Sequence, residues 1–255
     1  MDRQLAVPHE RAQGPPWSGA PDQFRLKLLG GFSLAQRDRR IMLPLGAQRL
    51  LAHLALQTQP QLRTRVAGTL WPDGTEAQSS ANLRSTLWRL RRPGFSLVHA
   101  THTYLYVAEE LSVDAWEVAA TVHRLMDRSA SCRTDDLDPA PLGGELLPDW
   151  SADEWILVER ERLRQLCLHR LEAMCERLLG QRRYAEAIQA GLAAVRGEPL
   201  RESAHRAVIA VHLAEGNHSE ALRQYRWYER LLHDELGIEP SPQIAGLVGG
   251  LRRAL

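Results

Sequence analysis

Thr75-Glu76-Ala77-Gln78-Ser79-Ser80-Ala81-Asn82-Leu83-Arg84-Ser85-Thr86-Leu87-Trp88-Arg89-Leu90-Arg91-Arg92 reads as one helix. Thr75, followed three residues later by Gln78, is a capping-box start, in which each side chain satisfies a free backbone donor. Pro93-Gly94 is the expected stop, because proline lacks the donor and glycine tolerates the turn. Leu83, Leu87 and Leu90 recur at helical spacing and form a narrow apolar stripe. Asn82, Ser85, Arg89 and Arg92 follow the same spacing on another face. From Ala77 to Arg92 there are four arginines and no acid. A helix that buries leucine on one side and offers Asn, Ser and Arg on the other suits a major groove. There, Arg grips guanine with two hydrogen bonds and Asn does the same for adenine. The pattern also fits a solvated basic helix on an ordinary domain, so the surroundings must decide.

The charge distribution favours the first reading. The net charge of +1 conceals two unlike halves: residues 24–108 hold 12 basic and 3 acidic side chains, and the remainder holds 20 and 28. A basic unit joined to an acidic one implies a polyanionic partner for one half only. Lys27 is the sole lysine among 32 cations. Such arginine usage can reflect a GC-rich genome and carries little weight by itself.

Upstream of the helix, Phe24 to Leu29 alternates apolar and basic residues like a half-buried strand. Gly30-Gly31 turns it toward strands at Phe32 to Gln36 and Arg40 to Leu43. Gly46 to Gln57 and Leu62 to Leu70 read as two helices, the second closed by Trp71-Pro72-Asp73-Gly74. Downstream, Phe95 to His99 and Tyr104 to Ala108 read as a hairpin with Ala100-Thr101-His102-Thr103 at its tip. Sheet, three helices and hairpin, in that order, describe a winged helix-turn-helix with a small antiparallel sheet leading it. In that fold the third helix enters the groove, the second crosses the backbone and the hairpin touches the flank.

From Val113 onward only helices are expected. The first covers Asp114 to Met126, followed by an irregular stretch from Asp127 to Asp149. Ser151 and Glu154 form a second capping box, opening a helix to about Leu179. Helices at roughly 181–196, 201–215, 218–236 and 241–254 follow. Tyr184-Ala185-Glu186-Ala187-Ile188 recurs as His218-Ser219-Glu220-Ala221-Leu222, a spacing of 34 residues, the period of a tetratricopeptide repeat. The expected class is therefore mainly α: a flexible tail at 1–22, a winged-helix domain at 23–111 and an all-α, tetratricopeptide-like repeat domain at 112–255.

Several chemistries lack their residues. Cys132, Cys167 and Cys175 form no CxxC pair, so neither a disulfide framework nor a zinc site is indicated, and a reducing cytoplasm is the expected setting. No run of about 18 apolar residues is present, so no membrane contact is expected. The His99/His102 pair lies near a hairpin tip, and His205, His212 and His218 fall among repeat helices with no acid at metal-ligand spacing. Gly30-Gly31 and Gly143-Gly144 lack the Lys-Ser/Thr of a phosphate loop, and no Gly-x-Ser-x-Gly elbow occurs. Glu159 and Glu161 alternate with Arg160 and Arg162 as a charged helix surface. No enzyme, cofactor or metal is expected.

Taken together, these motifs resemble the Streptomyces antibiotic regulatory proteins, in which an OmpR-type winged helix precedes a bacterial transcriptional activator domain. The resemblance covers about residues 24–254. It is carried by Gly144-Glu145-Leu146-Leu147-Pro148-Asp149-Trp150, by Trp155 to Arg164, by Arg183 to Ala187, by Pro199 to Arg206 and by Glu235 to Pro242. In the first half, Leu70-Trp71-Pro72-Asp73 and Leu87 to Arg92 fit the family's helices. The resemblance implies a sequence-specific activator that binds double-stranded DNA and contacts RNA polymerase. One short winged helix contacts few base pairs, so a homodimer on repeated half-sites is expected. By similarity, Ser85 and Arg89 would face the bases, with Asn82, Thr86 and Arg91 nearer the phosphates. Arg92 joins this set, and Arg49, Arg63 and Arg65 are further phosphate candidates. The family's Gly-x-Gly-Tyr-like wing is replaced here by Ala100-Thr101-His102-Thr103-Tyr104, and Pro93-Gly94 is a short connection. Trp88 is unusual on a groove-facing helix and is expected to pack against the hairpin or a second copy. The rival reading is a helical-repeat interaction scaffold with a degenerate DNA-binding domain.

Overall fold

The computed structural model describes residues 24–37, 39–57, 59–91, 96–127, 144–150 and 153–252, with side chains to 250. The tail at 1–22, Arg92, Pro93-Gly94, Cys132 and Ser151 lie outside the described residues. The leading sheet holds β1 (Phe24–Lys27), β2 (Ser33–Gln36) and β3 (Arg39–Ile41) in antiparallel pairs. Alternation sorts its faces: Phe24 and Leu26 are buried, while Arg25 and Lys27 are exposed. Gly30 and Gly31 supply the positive φ values, 75° and 130°, that turn the chain into β2.

β1 is shorter than its apolar pattern suggests. The backbone N–H groups of Leu28 and Leu29 leave the ladder and donate to the Asp114 carboxylate at 3.0 Å. A carboxylate that accepts several backbone donors is a strong local competitor for a strand edge. A fourth strand, β7 (Leu111–Val113), pairs parallel with β1, giving the order β3-β2-β1-β7. The expected boundary at residue 111 therefore runs through a strand.

The helices α1 (Leu45–Leu56), α2 (Arg63–Leu70) and α3 (Glu76–Leu90) follow. A second sheet, ordered β4-β6-β5, holds the hairpin of β5 (Val98–Ala100) and β6 (Tyr104–Val107) against the short β4 (Gln61–Leu62). Pairing of Gln61 with Leu105 anchors the hairpin to the start of α2.

The remaining elements are α4 (Asp114–Met126), α5 (Glu154–Gly180), α6 (Tyr184–Gly197), α7 (Glu202–Glu215), α8 (His218–Leu236) and α9 (Pro242–Arg252). The chain is mainly helical, with consecutive helices from α4 to α9 packed on their neighbours. Ala187 and Ala221, the residues repeated at a spacing of 34, are both fully buried. Gly191 marks the tightest approach: a Cβ there would stand 2.8 Å from Val208 Cγ2.

The 27 residues of α5 span about 40 Å at 1.5 Å per residue. Its first turns send Ile156 and Leu163 into the core formed by Leu26, Leu50 and Val66 of the winged helix. Its last turns place Met174 and Leu178 among the repeat helices. Leu146 and Leu147 add to the first core, and Leu147 N donates to Leu28 O at 2.9 Å. The two halves thus share a hydrophobic core.

Candidate nucleic-acid interface

Helix α3 begins as its sequence dictates. Thr75 accepts from the Gln78 N–H at 3.3 Å, and the Gln78 side-chain oxygen accepts from Thr75 N at 2.9 Å. Ser79 donates to Trp71 O at 2.9 Å, tying the turn after α2 to the first turn of α3. Ser79, Leu83, Thr86 and Leu90 are buried along one side. Asn82, Arg84, Ser85, Trp88, Arg89 and Arg91 are exposed along the other.

The structure thereby sorts the expected contact residues. Asn82, Ser85, Arg89 and Arg91 share the exposed side of α3. Thr86 does not: it is 8% exposed and turned toward Gly46 of α1, whose close approach it accompanies. The spacing of Thr86 relative to Leu83 and Leu90 places it on the apolar stripe, where it is out of reach of a phosphate. Arg49 does not offer a free charge to a phosphate either. Its guanidinium makes a two-pronged pair with Asp153, Nε to Oδ2 at 3.1 Å and Nη2 to Oδ1, so its charge is spent within the chain. Arg63 is half-buried and reaches Thr101 O at 3.3 Å, bracing the hairpin tip. Arg65 is exposed on α2. Arg92 lies outside the described residues. Arg84, from the same acid-free run of arginines, is exposed on α3 as well.

The hairpin forms without the family's glycine tip. Thr101 Oγ1 accepts from Tyr104 N at 2.8 Å and from Thr103 N at 3.3 Å, and Thr101 N donates to Tyr104 O at 2.9 Å. A threonine side chain that closes a turn in this way replaces glycine's conformational freedom with hydrogen bonds. His99 and Tyr106 stack on the exposed hairpin surface, their ring centroids 5.1 Å apart.

Between α3 and the hairpin lies an open cleft of about 1190 Å³. Arg63, Arg84, Arg91, His99 and His102 contribute its charged and titratable lining, and among the described residues no carboxylate lines it. Trp88 also stands at this cleft but is 75% exposed, so it does not pack on the hairpin. The cleft is open, cationic and acid-free, a surface suited to a polyanion rather than to a small apolar ligand. Among the described residues, no group of His, Cys, Asp and Glu is placed to hold a metal, and no helix is long and apolar enough to cross a membrane.

Residues 140–252 match the bacterial transcriptional activator domain. Over its full length the chain is similar to regulatory protein AfsR of Streptomyces griseus, 28% identical over 273 residues. It is 29% identical over 264 residues to AfsR of Streptomyces coelicolor, covering 97% of this chain. The chain is thus similar to two regulatory proteins of Streptomyces and carries a match to the activator domain in its second half. It spans only about a quarter of those relatives, 27% and 26% of their lengths. The fold is shared with Mycobacterium tuberculosis EmbR, solved in complex with a low-affinity phosphopeptide. The TM-score is 0.73 at 20% identity, over 91% of this chain and 66% of that one. What the chain resembles is therefore a transcriptional activator domain and two regulatory proteins, and its own architecture is a winged helix followed by repeat helices.

Proposed function

We propose that this protein is a sequence-specific DNA-binding activator, with α3 entering a major groove and the helical half contacting RNA polymerase. The observation that carries the reading is the exposed, acid-free side of α3: Asn82, Arg84, Ser85, Arg89 and Arg91, beside a cationic cleft bounded by the hairpin. Cations there would neutralise phosphates and set the register, while Asn and Arg on the same face have the donors that distinguish bases. One helix in one groove meets few base pairs, so two copies on repeated half-sites would supply the rest. The match of residues 140–252 to the activator domain supports polymerase contact through the repeat helices.

Selection of bound duplexes from a random pool, followed by titration against salt, tests this. The expected result is a short motif repeated at fixed spacing, with log affinity falling by about 0.9 per phosphate contact for each decade of salt. Equal binding to every duplex sinks the specific reading and favours the interaction scaffold. Polymerase contact predicts that polymerase occupancy at a selected site rises when the protein is added; unchanged occupancy counts against it.

A further inference from the structure

Trp88 is 75% exposed in the last turn of a helix whose Leu83 and Leu90 are 2% and 3% exposed. The helix therefore has a buried side for apolar groups, and its largest one is not there. On the outward side the preceding turns carry the short Ala77, Ala81 and Ser85, with Gln78, Asn82 and the long, flexible Arg84 beside them. Short side chains let a helix backbone settle close to the floor of a groove. An indole one turn further along then projects deeper than any hydroxyl or amide around it. Cations flank it at Arg84, Arg89 and Arg91, so whatever covers the indole must also accommodate positive charge.

We infer that Trp88 is a specificity-determining residue, its indole lying against the C5-methyl group of a thymine in the major groove. This rests on the groove reading above. Indole is donor-only, with one N–H on an otherwise apolar body, and so is poorly equipped to read the polar edge of a base. The thymine methyl is the apolar feature that the major groove offers, and no other base presents it. An apolar surface surrounded by arginines matches that chemistry better than it matches an apolar protein face, where the same cations would be buried unpaired. Trp88 would thus select thymine at one position per half-site, next to positions read by Ser85 and Arg89.

The test uses the full chain and the site it selects. Each thymine is replaced in turn by deoxyuridine, which removes the methyl group and nothing else, and affinities are measured for the wild type, Trp88→Ala and Trp88→Phe. The expected result is one position per half-site where deoxyuridine weakens wild-type binding about fourfold, the weight of one buried methyl group. Trp88→Ala should bind more weakly and be indifferent to that replacement, while Trp88→Phe should retain part of the sensitivity. Thermal unfolding should be unchanged, since the side chain is exposed. Identical deoxyuridine profiles for the wild type and Trp88→Ala overturn the inference. So does a loss confined to cooperative binding of two copies, which would place a protein surface on Trp88 instead. A wild type that selects no sequence fails the groove reading itself, a separate and earlier outcome.

Discussion

Arg49 of α1 and Asp153 at the head of α5, 104 residues apart, are joined by two hydrogen bonds between guanidinium and carboxylate. Both side chains are largely covered, 24% and 14% exposed. They open a seam that continues along α1 with His53 against Trp155, ring centroids 4.9 Å apart, and Gln57 beside Glu159. Trp116 Nε1 adds a 2.7 Å bond to Ala55 O. One face of α1 is thus given to the helical half, and the charge of Arg49 is used there.

Arg49→Ala should cost about 1–3 kcal/mol of stability, because it leaves a covered carboxylate without its charged donor. It should leave the salt dependence of DNA binding unchanged. Denaturant unfolding gives the first quantity and titration at several salt concentrations the second. A salt slope reduced by about one would return Arg49 to the phosphate contacts.

Arg89→Ala and Arg91→Ala should fail differently. If Arg89 meets a base, its loss costs about 1–3 kcal/mol of specific binding and relaxes one position of the selected motif. If Arg91 meets a phosphate, its loss weakens binding to all duplexes evenly and lowers the salt slope by about one. Sequence selection repeated with each variant separates the two roles; identical profiles would show that the helix is seated differently.

Acid should loosen the seam through His53. Burial, reinforced by the positive charge of Arg65, pulls its imidazole down from 6.5 to about 4. Its Nδ1 has no hydrogen-bond partner among the described residues. The unfolded chain binds the proton more tightly, so stability is complete above pH about 6.5 and is lost as pH falls toward 4. The loss is on the order of 2–3 kcal/mol. Urea midpoints between pH 7.5 and 4.5 should fall more steeply for the wild type than for His53→Leu. Parallel curves would assign the loss to other groups.

Gly191→Ala should destabilise the repeat helices although alanine is the better helix former. The propensity gain is about 1 kcal/mol. Against it, the added methyl carbon would stand 2.8 Å from Val208 Cγ2 and 3.4 Å from Cys175 Sγ. Val208 is β-branched and cannot swing away cheaply, so overpacking of about 1–3 kcal/mol should win. A lower thermal midpoint is the expected outcome; a raised one would mean that α6 and α7 separate more easily than their packing suggests.

The local elements were legible because their signals are local. The Thr75/Gln78 box starts α3, the spacing of 34 places Ala187 and Ala221 in equivalent buried positions, and alternation sorts the faces of β1. The outward side of α3 was legible too, since Asn82, Ser85 and Arg89 follow from helical spacing once Leu83 and Leu90 are assigned inward. The three-residue β7 was not, because so short a strand has no pattern of its own and exists through its partner β1, more than 80 residues away.

By itself, the sequence determined which segments are helices, where the repeats fall and that one half is basic and the other acidic. Capping, periodicity and charge act over a few residues, so the chain states them directly. Only the tertiary structure decided what each side chain is free to do. It turned Thr86 inward beneath α1, spent Arg49 on Asp153, set Arg63 to brace the hairpin and left Trp88 open beside the cleft. Those outcomes depend on partners that folding brings from distant parts of the chain, and no spacing along one helix can specify them.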